Sequence, residues 1–286
     1  MFRSIIKLIR VKHWMKNMFV FLPMFFAGAF SLIFQSEVIL LFVSFCLAAS
    51  SIYILNDIVD VENDRLHPKK KKRPIASGEI PIKTAYVILG VFFLGFVSTL
   101  LFLGSSAWFV LGYFVMNILY SFYLKNISLV DVSCISLGFV LRVMAGGSEA
   151  GIYVSHWMII LIFLLTIALA FAKRRDDLVI DDNRTVFRKS SKGYSLAFLD
   201  IAKAISFSIT LISYILYSIS PETVASLGTD KMYITSLFVF LGIMRYLQIT
   251  IIDRNSGSPV EVLLNDRFLQ INILIWFGIM AYFIYG

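Results

Sequence analysis

Three aspartates, Asp57, Asp60 and Asp64, stand three and four residues apart in the stretch NDIVDVENDRLHPKKKKRP (56–74). If the apolar run before them continues as a helix, at 100° per residue they fall within about a 60° arc, while Glu62 points to the opposite side. Like charges so placed repel one another and weaken an isolated helix. The arrangement makes physical sense around a divalent cation. Oxygen ligands with room left for water suit Mg²⁺, which commonly bridges a few carboxylates to substrate phosphates. Asp57, Asp60 and Asp64 are thus the expected metal ligands and catalytic set, with Asn56 at the edge of the arc as an amide ligand or hydrogen-bonding group. His67-Pro68 should end the helix, and Lys69 to Arg73 then form a basic segment beside the metal face. A diphosphate there would be held from both sides, by Mg²⁺ and by Lys or Arg, as stabilising a leaving group requires. For Lys69, Lys71 and Lys72 the simpler reading is a stop signal against anionic lipid.

The elements that must position these charges are read from composition. Among 286 residues, 59% are hydrophobic and 27 are phenylalanine, outside the range of a water-soluble domain. The chain reads as all-α and polytopic, a single integral-membrane domain over 1–286. Runs long enough to cross about 30 Å of hydrocarbon fall at roughly 17–35, 38–56, 82–103, 106–124, 129–147, 155–173, 202–220, 231–250 and 268–285. That predicts nine transmembrane helices. The first run is too long for a secretory signal, and more spans follow. Cys46 and Cys134 both fall inside spans, which predicts neither a disulfide nor a thiolate metal site. Of 26 lysines and arginines only Arg142 and Lys231 fall on one side of this topology. The bias predicts a cytoplasmic amino terminus and large cytoplasmic loops at about 57–81 and 174–201. Charges recurring four helices apart suggest two four-helix repeats and a last helix. The net charge of +8 is then topology and attraction to membrane lipids; it gives no support to a nucleic-acid partner.

NDIVDVEND fits the N-D-x-x-D-x-x-x-D signature of the UbiA superfamily of intramembrane prenyltransferases. The resemblance implies nine helices, two cytoplasmic acidic motifs and a Mg²⁺-bound diphosphate. Further stretches, RVKHWMKNMFVFLP (10–23), DRLHPKKKKRPIASG (64–78), YSFYLK (120–125), DVSCISLGFVLRVMAGG (131–147) and DRNSGSPVEVLLNDRFLQ (253–270), resemble the decaprenyl-phosphate phosphoribosyltransferase branch nearly end to end. That branch implies 5-phosphoribosyl 1-diphosphate as donor, a polyprenyl phosphate as nucleophile, and a polyprenyl phosphoribose for envelope glycans as product. Lys70 and Arg73 match its H-P-x-K-x-x-R-P pattern and would hold phosphate oxygens, and Arg65 joins them among the expected substrate contacts.

The second acidic motif, FAKRRDDLVIDD (171–182), is mixed. Asp177 and Asp181 repeat the D-x-x-x-D spacing of aromatic prenyltransferases, while Lys173-Arg174 resembles the branch pattern K-R-Y-x-E, with Arg175 in place of tyrosine and Asp177 in place of glutamate. Lys173, Arg174 and Asp177 are expected to contact the ribose 5-phosphate or the metal; a part for Asp181 is left open. Asp182, Arg184 and Arg188 read as solvated loop. Arg142 lies deep in the fifth span, where an arginine is a functional candidate by default, the alternatives being an ion pair to Asp131 or a helix cap. Lys16 and Asn17 sit where a helix enters the membrane and could meet the lipid phosphate, although Lys16 could also be an ordinary snorkelling anchor. Tyr120 and Lys125 match YSxxLK, and the lysine is the sole cation of its loop. The three histidines, His13, His67 and His156, show no ligand spacing. Two rivals stand beside the phosphoribosyl reading: an aromatic prenyltransferase using a prenyl diphosphate, and a transporter. The second would carry ionisable residues near the midplane of several spans, whereas these charges cluster at one face. Chain length of the polyprenyl group and the choice between monomer and homo-oligomer are open at this level.

Overall fold

The computed structural model describes residues 2–66, 70–180, 193–252 and 259–286, and the described residues form helices and no strand. Seven of the helices are long and apolar enough to cross a membrane: Ser36–Val59, Ile82–Leu100, Val130–Ala150, His156–Val179, Leu196–Ser218, Lys231–Ile251 and Arg267–Tyr285. Ser106–Phe122 is apolar but shorter. The chain divides into two compact units, Met1–Phe122 with Leu141–Val154, and Tyr123–Val140 with Ser155–Gly286.

The first unit holds α1 (Phe2–Leu8), a 3-10 segment Val11–Phe21, α2 (Leu22–Phe26), a second 3-10 segment Phe30–Phe34, α3 (Ser36–Val59), α4 (Val61–Leu66), α5 (Ile82–Leu100), α6 (Ser106–Phe122) and the carboxy-terminal half of α7 (Val130–Ala150). The run expected to form one span over 17–35 is therefore broken into short pieces. Pro23 cannot donate into a continuing helix and instead opens α2, and Gly28 turns the chain through φ 68°. The 3-10 segment also passes very close to α7. A Cβ on Gly146 would stand 1.9 Å from the Val20 carbonyl oxygen, so only glycine permits that approach.

Small residues let α3 pack from several sides. Ser44, Ala48, Ala49, Ser50 and Ser51 are all buried along it, as expected of helices that associate in lipid by close backbone packing. Thr99 of α5 donates to Ser44 (2.9 Å). At its charged end α3 does not stop cleanly. Asp60, at φ −90° and ψ 7°, joins α3 to α4, while its N–H still donates to the Asn56 carbonyl (2.9 Å) and the Asp64 N–H to the Asp60 carbonyl (2.8 Å). The helical path thus continues through a bend. Leu8, Ile54, Ile58, Val61, Ile75 and Ile80 form an apolar cluster beneath it, which seats α1 and the 73–80 turn against the acidic motif.

The second unit holds the amino-terminal half of α7, then α8 (His156–Ile180), α9 (Leu196–Ser218), α10 (Pro221–Leu227), α11 (Ser236–Ile251), α12 (Pro259–Asn265) and α13 (Arg267–Tyr285). Expectation placed Arg174 to Asp177 in a loop; α8 instead carries them on a helix that runs to Ile180. Two apolar clusters meet on α8. Ala168 and Ala172 pack with Phe207, Tyr246 and Ile249, and Ala170 and Phe171 pack with Val132, Tyr194 and Leu199. One turn further along, the first face presents Arg175 and the second Arg174.

Ser77 and Ser226 are exposed, and both native cysteines are buried. Cysteine placed at Ser77 is expected to label only from the cytoplasm and at Ser226 only from the other side; labelling of both from one side would overturn the amino-terminus-in topology.

Candidate active site

In the first unit the two buried aspartates, Asp57 and Asp64, each 2% exposed, are tied together by one cation. Arg73 Nη1 donates to Asp57 Oδ1 (3.1 Å) and to Asp64 Oδ2 (2.5 Å). Arg10 Nη2 adds a second bond to Asp57 Oδ1 (2.6 Å), and Lys70 Nζ lies 4.0 Å from Asp64 Oδ1. Arg10 was counted from sequence only as a topological charge. Its place depends on a left-handed backbone (φ 53°, ψ 50°) between α1 and the 3-10 segment, which a non-glycine residue adopts at a cost of roughly 1 kcal/mol or more. Two contacts hold it there. The guanidinium lies 4.5 Å over the Tyr53 ring, and the segment is pinned to α3 by Trp14 Nε1 donating to Ser50 Oγ (3.1 Å), which donates to the Ile9 carbonyl (2.9 Å).

The triad expected on one face is thus a bridged pair. Asp60 sits at the bend, half-buried, and the described residues contain no group of three His, Cys, Asp or Glu side chains disposed to hold a metal. The 60° arc was drawn for a straight helix, and the path bends at Asp60 itself (φ −90°, ψ 7°). Asn56 is half-buried. Glu62 is exposed, as its opposite position predicts, and Arg65 is spent on it (2.9 Å) instead of on the aspartates. His67, Pro68 and Lys69 lie outside the described residues.

The same unit gathers Lys16, Asn17 and Arg142. Arg142, 5% exposed, donates Nε to Asn17 Oδ1 (2.8 Å) and stacks 4.3 Å over the Tyr113 ring. Asn17 is fully buried, and its Nδ2 donates to Cys46 Sγ (3.2 Å). Asn17 thus uses its oxygen to orient Arg142 and one amide N–H on Cys46. Lys16 is half-buried and makes no ion pair among the described residues. Burial, reinforced by the positive charges of Arg142 and Arg10, pulls its ammonium down to about 8. Tyr120 is half-buried at the end of α6.

In the second unit Arg174 is 2% exposed and joins Asp131, which is fully buried. Its Nε donates to Asp131 Oδ2 (2.7 Å) and its Nη1 to Asp177 Oδ2 (3.1 Å). Sequence offered Asp131 as a partner for Arg142. The two are eleven residues apart on α7, three helical turns, and Asp131 is taken by Arg174. Arg175, the departure from the tyrosine of the resembled pattern, has its own partner. Its Nε donates to Asp200 (2.7 Å) and its Nη1 to the Thr250 carbonyl (2.9 Å), while the fully buried Lys203 donates to Asp200 (3.1 Å) and Thr250 Oγ1 (3.3 Å). This network links α8, α9 and α11. Lys173 is exposed and Lys125 half-buried. Asp181, Asp182, Arg184 and Arg188 lie outside the described residues. Tyr194 and Asp200 escaped the sequence reading, and Asp131 was offered to a different arginine, because the pairs Tyr194 with Asp131, Arg174 with Asp131 and Arg175 with Asp200 join residues 63, 43 and 25 apart in the chain.

Residues 17–283 match the model of the UbiA prenyltransferase family. The chain belongs to this family. Two relatives, both named decaprenyl-phosphate phosphoribosyltransferase, resemble it over most of their length. One from Mycolicibacterium smegmatis is 32% identical, covering 99% of this chain and 92% of the relative; one from Corynebacterium glutamicum is 33% identical, covering 96% and 84%. The UbiA fold is seen in the solved structure of a homologue from Archaeoglobus fulgidus bound to GPP and Mg²⁺, at TM-score 0.70 and 18% identity over 99% of this chain and 98% of that one. It is seen again in a homologue from Aeropyrum pernix K1 in its apo form, at TM-score 0.66 and 16% identity over 93% and 96%. As a UbiA family member the chain is a multi-pass membrane transferase.

Asp57 and Asp64 offer the hard carboxylate oxygens that a divalent cation takes, as a pair and not as a group of three among the described residues. One positive nitrogen, Arg73 Nη1, already sits within hydrogen-bond reach of both buried carboxylates. A hard cation accepting oxygens at about 2.0–2.1 Å would need the same two groups with the guanidinium turned aside.

Proposed function

We propose that this protein transfers the 5-phosphoribosyl group of 5-phosphoribosyl 1-diphosphate to a polyprenyl phosphate. The products are diphosphate and a polyprenyl-phosphoryl 5-phosphoribose for cell-envelope glycan synthesis. The observation that carries the reading is the near-full-length similarity to relatives of that name, at 32% and 33% identity.

The chemistry asked of the chain is modest. The ribose C1–O bond to diphosphate breaks with its electron pair leaving on diphosphate, and a lipid phosphate oxygen forms the new bond to an oxocarbenium-like C1. That oxygen is already anionic, so no strong general base is needed. Mg²⁺, when bound, would neutralise charge growing on the leaving diphosphate. Asp57 and Asp64, with Asp60, are the residues that would hold it. Arg73 and Lys70, and Arg10 as an addition from the structure, would then turn from the carboxylates to diphosphate oxygens. Lys173 and Arg174, braced by Asp177, are assigned to the 5-phosphate. Lys16 and Arg142, oriented by Asn17, are assigned to the acceptor phosphate, with Tyr120 and Lys125 as further contacts. The site would open to the cytoplasm of a bacterial inner membrane.

Purified protein incubated with radiolabelled donor and polyprenyl phosphate should form labelled lipid and diphosphate in a Mg²⁺-dependent manner. Transfer of a prenyl group from a prenyl diphosphate to 4-hydroxybenzoate, with the ribosyl donor ignored, would make it an aromatic prenyltransferase instead. Acceptor binding should also depend on pH. Lys16 is cationic below about 8 and neutral above it, so its help to the lipid phosphate is present at pH 7 and lost as pH rises through that value. The KM for polyprenyl phosphate is expected to climb above pH 8 while the donor KM stays flat, and Lys16→Arg should move that rise to higher pH. An unchanged limb in Lys16→Arg would remove Lys16 from the acceptor site.

A further inference from the structure

We propose that Asp131 and Tyr194 are positioning residues that aim the Arg174 guanidinium at the donor's 5-phosphate. The proposal rests on the function proposed above and adds two residues to it. The polarity of the hydrogen-bond chain is forced. The Leu129 N–H donates to the Tyr194 hydroxyl (2.7 Å), so the single phenolic proton is committed to Asp131 Oδ1 (2.6 Å). Asp131 Oδ2 takes Arg174 Nε (2.7 Å), so a fully buried carboxylate has both oxygens occupied by donors. The Nε edge of Arg174 is thereby fixed, and with it the plane of the guanidinium, while Asp177 holds Nη1 from one helical turn further along. A planar fork recognises phosphate by direction as much as by charge.

The local backbone is built to bring Tyr194 there. Leu129 adopts a left-handed conformation (φ 68°), and a Cβ on Gly193 would stand 2.1 Å from Ser128 Oγ. The Tyr194 ring stacks on Phe198, centroids 5.9 Å apart. Burial pushes the phenol far above its ordinary range, so it remains a donor at all working pH values. Arg175, Asp200, Lys203 and Thr250 bind α8 to α9 and α11 without using Asp131, which reaches α8 through Arg174. A buried ion pair is in itself weak support for stability.

Tyr194→Phe deletes one hydroxyl and keeps the ring. It should raise the KM for 5-phosphoribosyl 1-diphosphate about tenfold, with kcat and the KM for polyprenyl phosphate each changed less than twofold. Added to Arg174→Lys, which has no Nε fork to aim, the same substitution should raise the donor KM less than twofold further. A second variant, Asp131→Asn, should show the same donor-specific defect, and all variants should elute from size exclusion as wild type does. Donor-dependent thermal stabilisation gives a readout apart from turnover, and it should shrink in Tyr194→Phe with 5-phosphoribosyl 1-diphosphate but not with inorganic diphosphate. Effects of Tyr194→Phe and Arg174→Lys that multiply independently, or a loss of kcat with donor KM unchanged, would overturn the positioning role while leaving the proposed function standing. Failure of the wild type to bind the ribosyl donor would overturn both.

Discussion

Asp57→Asn and Asp64→Asn each lower turnover by about a hundredfold or more, the scale set by removing one charge-stabilising group from a leaving-group site. Both carboxylates are 2% exposed, and both already share a cation in Arg73. Asparagine preserves shape and one acceptor oxygen but cannot supply the charge a divalent cation needs. The fold should survive, because Arg10 and Arg73 are 20% and 26% exposed at their side chains and can reach water when a partner is lost. A charge stranded deep in the protein would cost more. Glu62→Gln is the control: that residue is exposed and paired only with Arg65, and its substitution should leave turnover within about twofold, as surface changes do. Asp60→Asn discriminates between the straight-helix arc and the observed bend. A loss as large as that of Asp57→Asn would mean that Asp60 joins the bridged pair when the cation binds. The measurement is initial rate at saturating donor and acceptor, on protein verified as monodisperse in detergent.

The parts of this site that sequence discloses are those encoded by local periodicity. Asp57 and Asp64 share a face because seven residues make nearly two helical turns, and no tertiary information is needed to see it. Arg73 was legible through its motif, and the exposure of Glu62 followed from the same arithmetic. What escaped depends on distant pairing or on backbone irregularity. Arg10 reaches Asp57 across 47 residues from a left-handed turn that no glycine announces. Tyr194 and Asp131 are 63 residues apart. Hydropathy misplaced the end of α8 because it treats charge as the end of a helix, whereas Arg174 and Arg175 each find a buried or half-buried carboxylate and the helix continues. It also read 17–35 as one span, although Pro23 and Gly28 were visible signals of a break. The acidic face of a helix is a one-dimensional pattern; the arginines that meet it are not.

Arg174→Ala should raise the KM for 5-phosphoribosyl 1-diphosphate by the equivalent of roughly 2–4 kcal/mol, about thirtyfold to a thousandfold, with little change in that for polyprenyl phosphate. A prenyl diphosphate offers one diphosphate and a hydrocarbon tail, whereas the ribosyl donor carries a further phosphate that needs its own cations. The geometry adds a complication: alanine leaves Asp131 fully buried without its arginine, and losing one partner of a buried pair destabilises by about 3–5 kcal/mol. The binding effect must therefore be separated from a folding effect. Arg174→Lys keeps a cation beside Asp131 but has neither the Nε donor nor the planar fork, and its donor KM should rise roughly tenfold while the thermal midpoint falls only slightly. Pairing Arg174→Ala with Asp131→Asn removes the stranded charge; thermal stability should recover while the donor defect persists, since no guanidinium is restored. Recovery of donor binding together with stability would show that Arg174 serves only the fold. A normal donor KM with a raised KM for lipid would mean that the two substrates have been assigned to each other's cations.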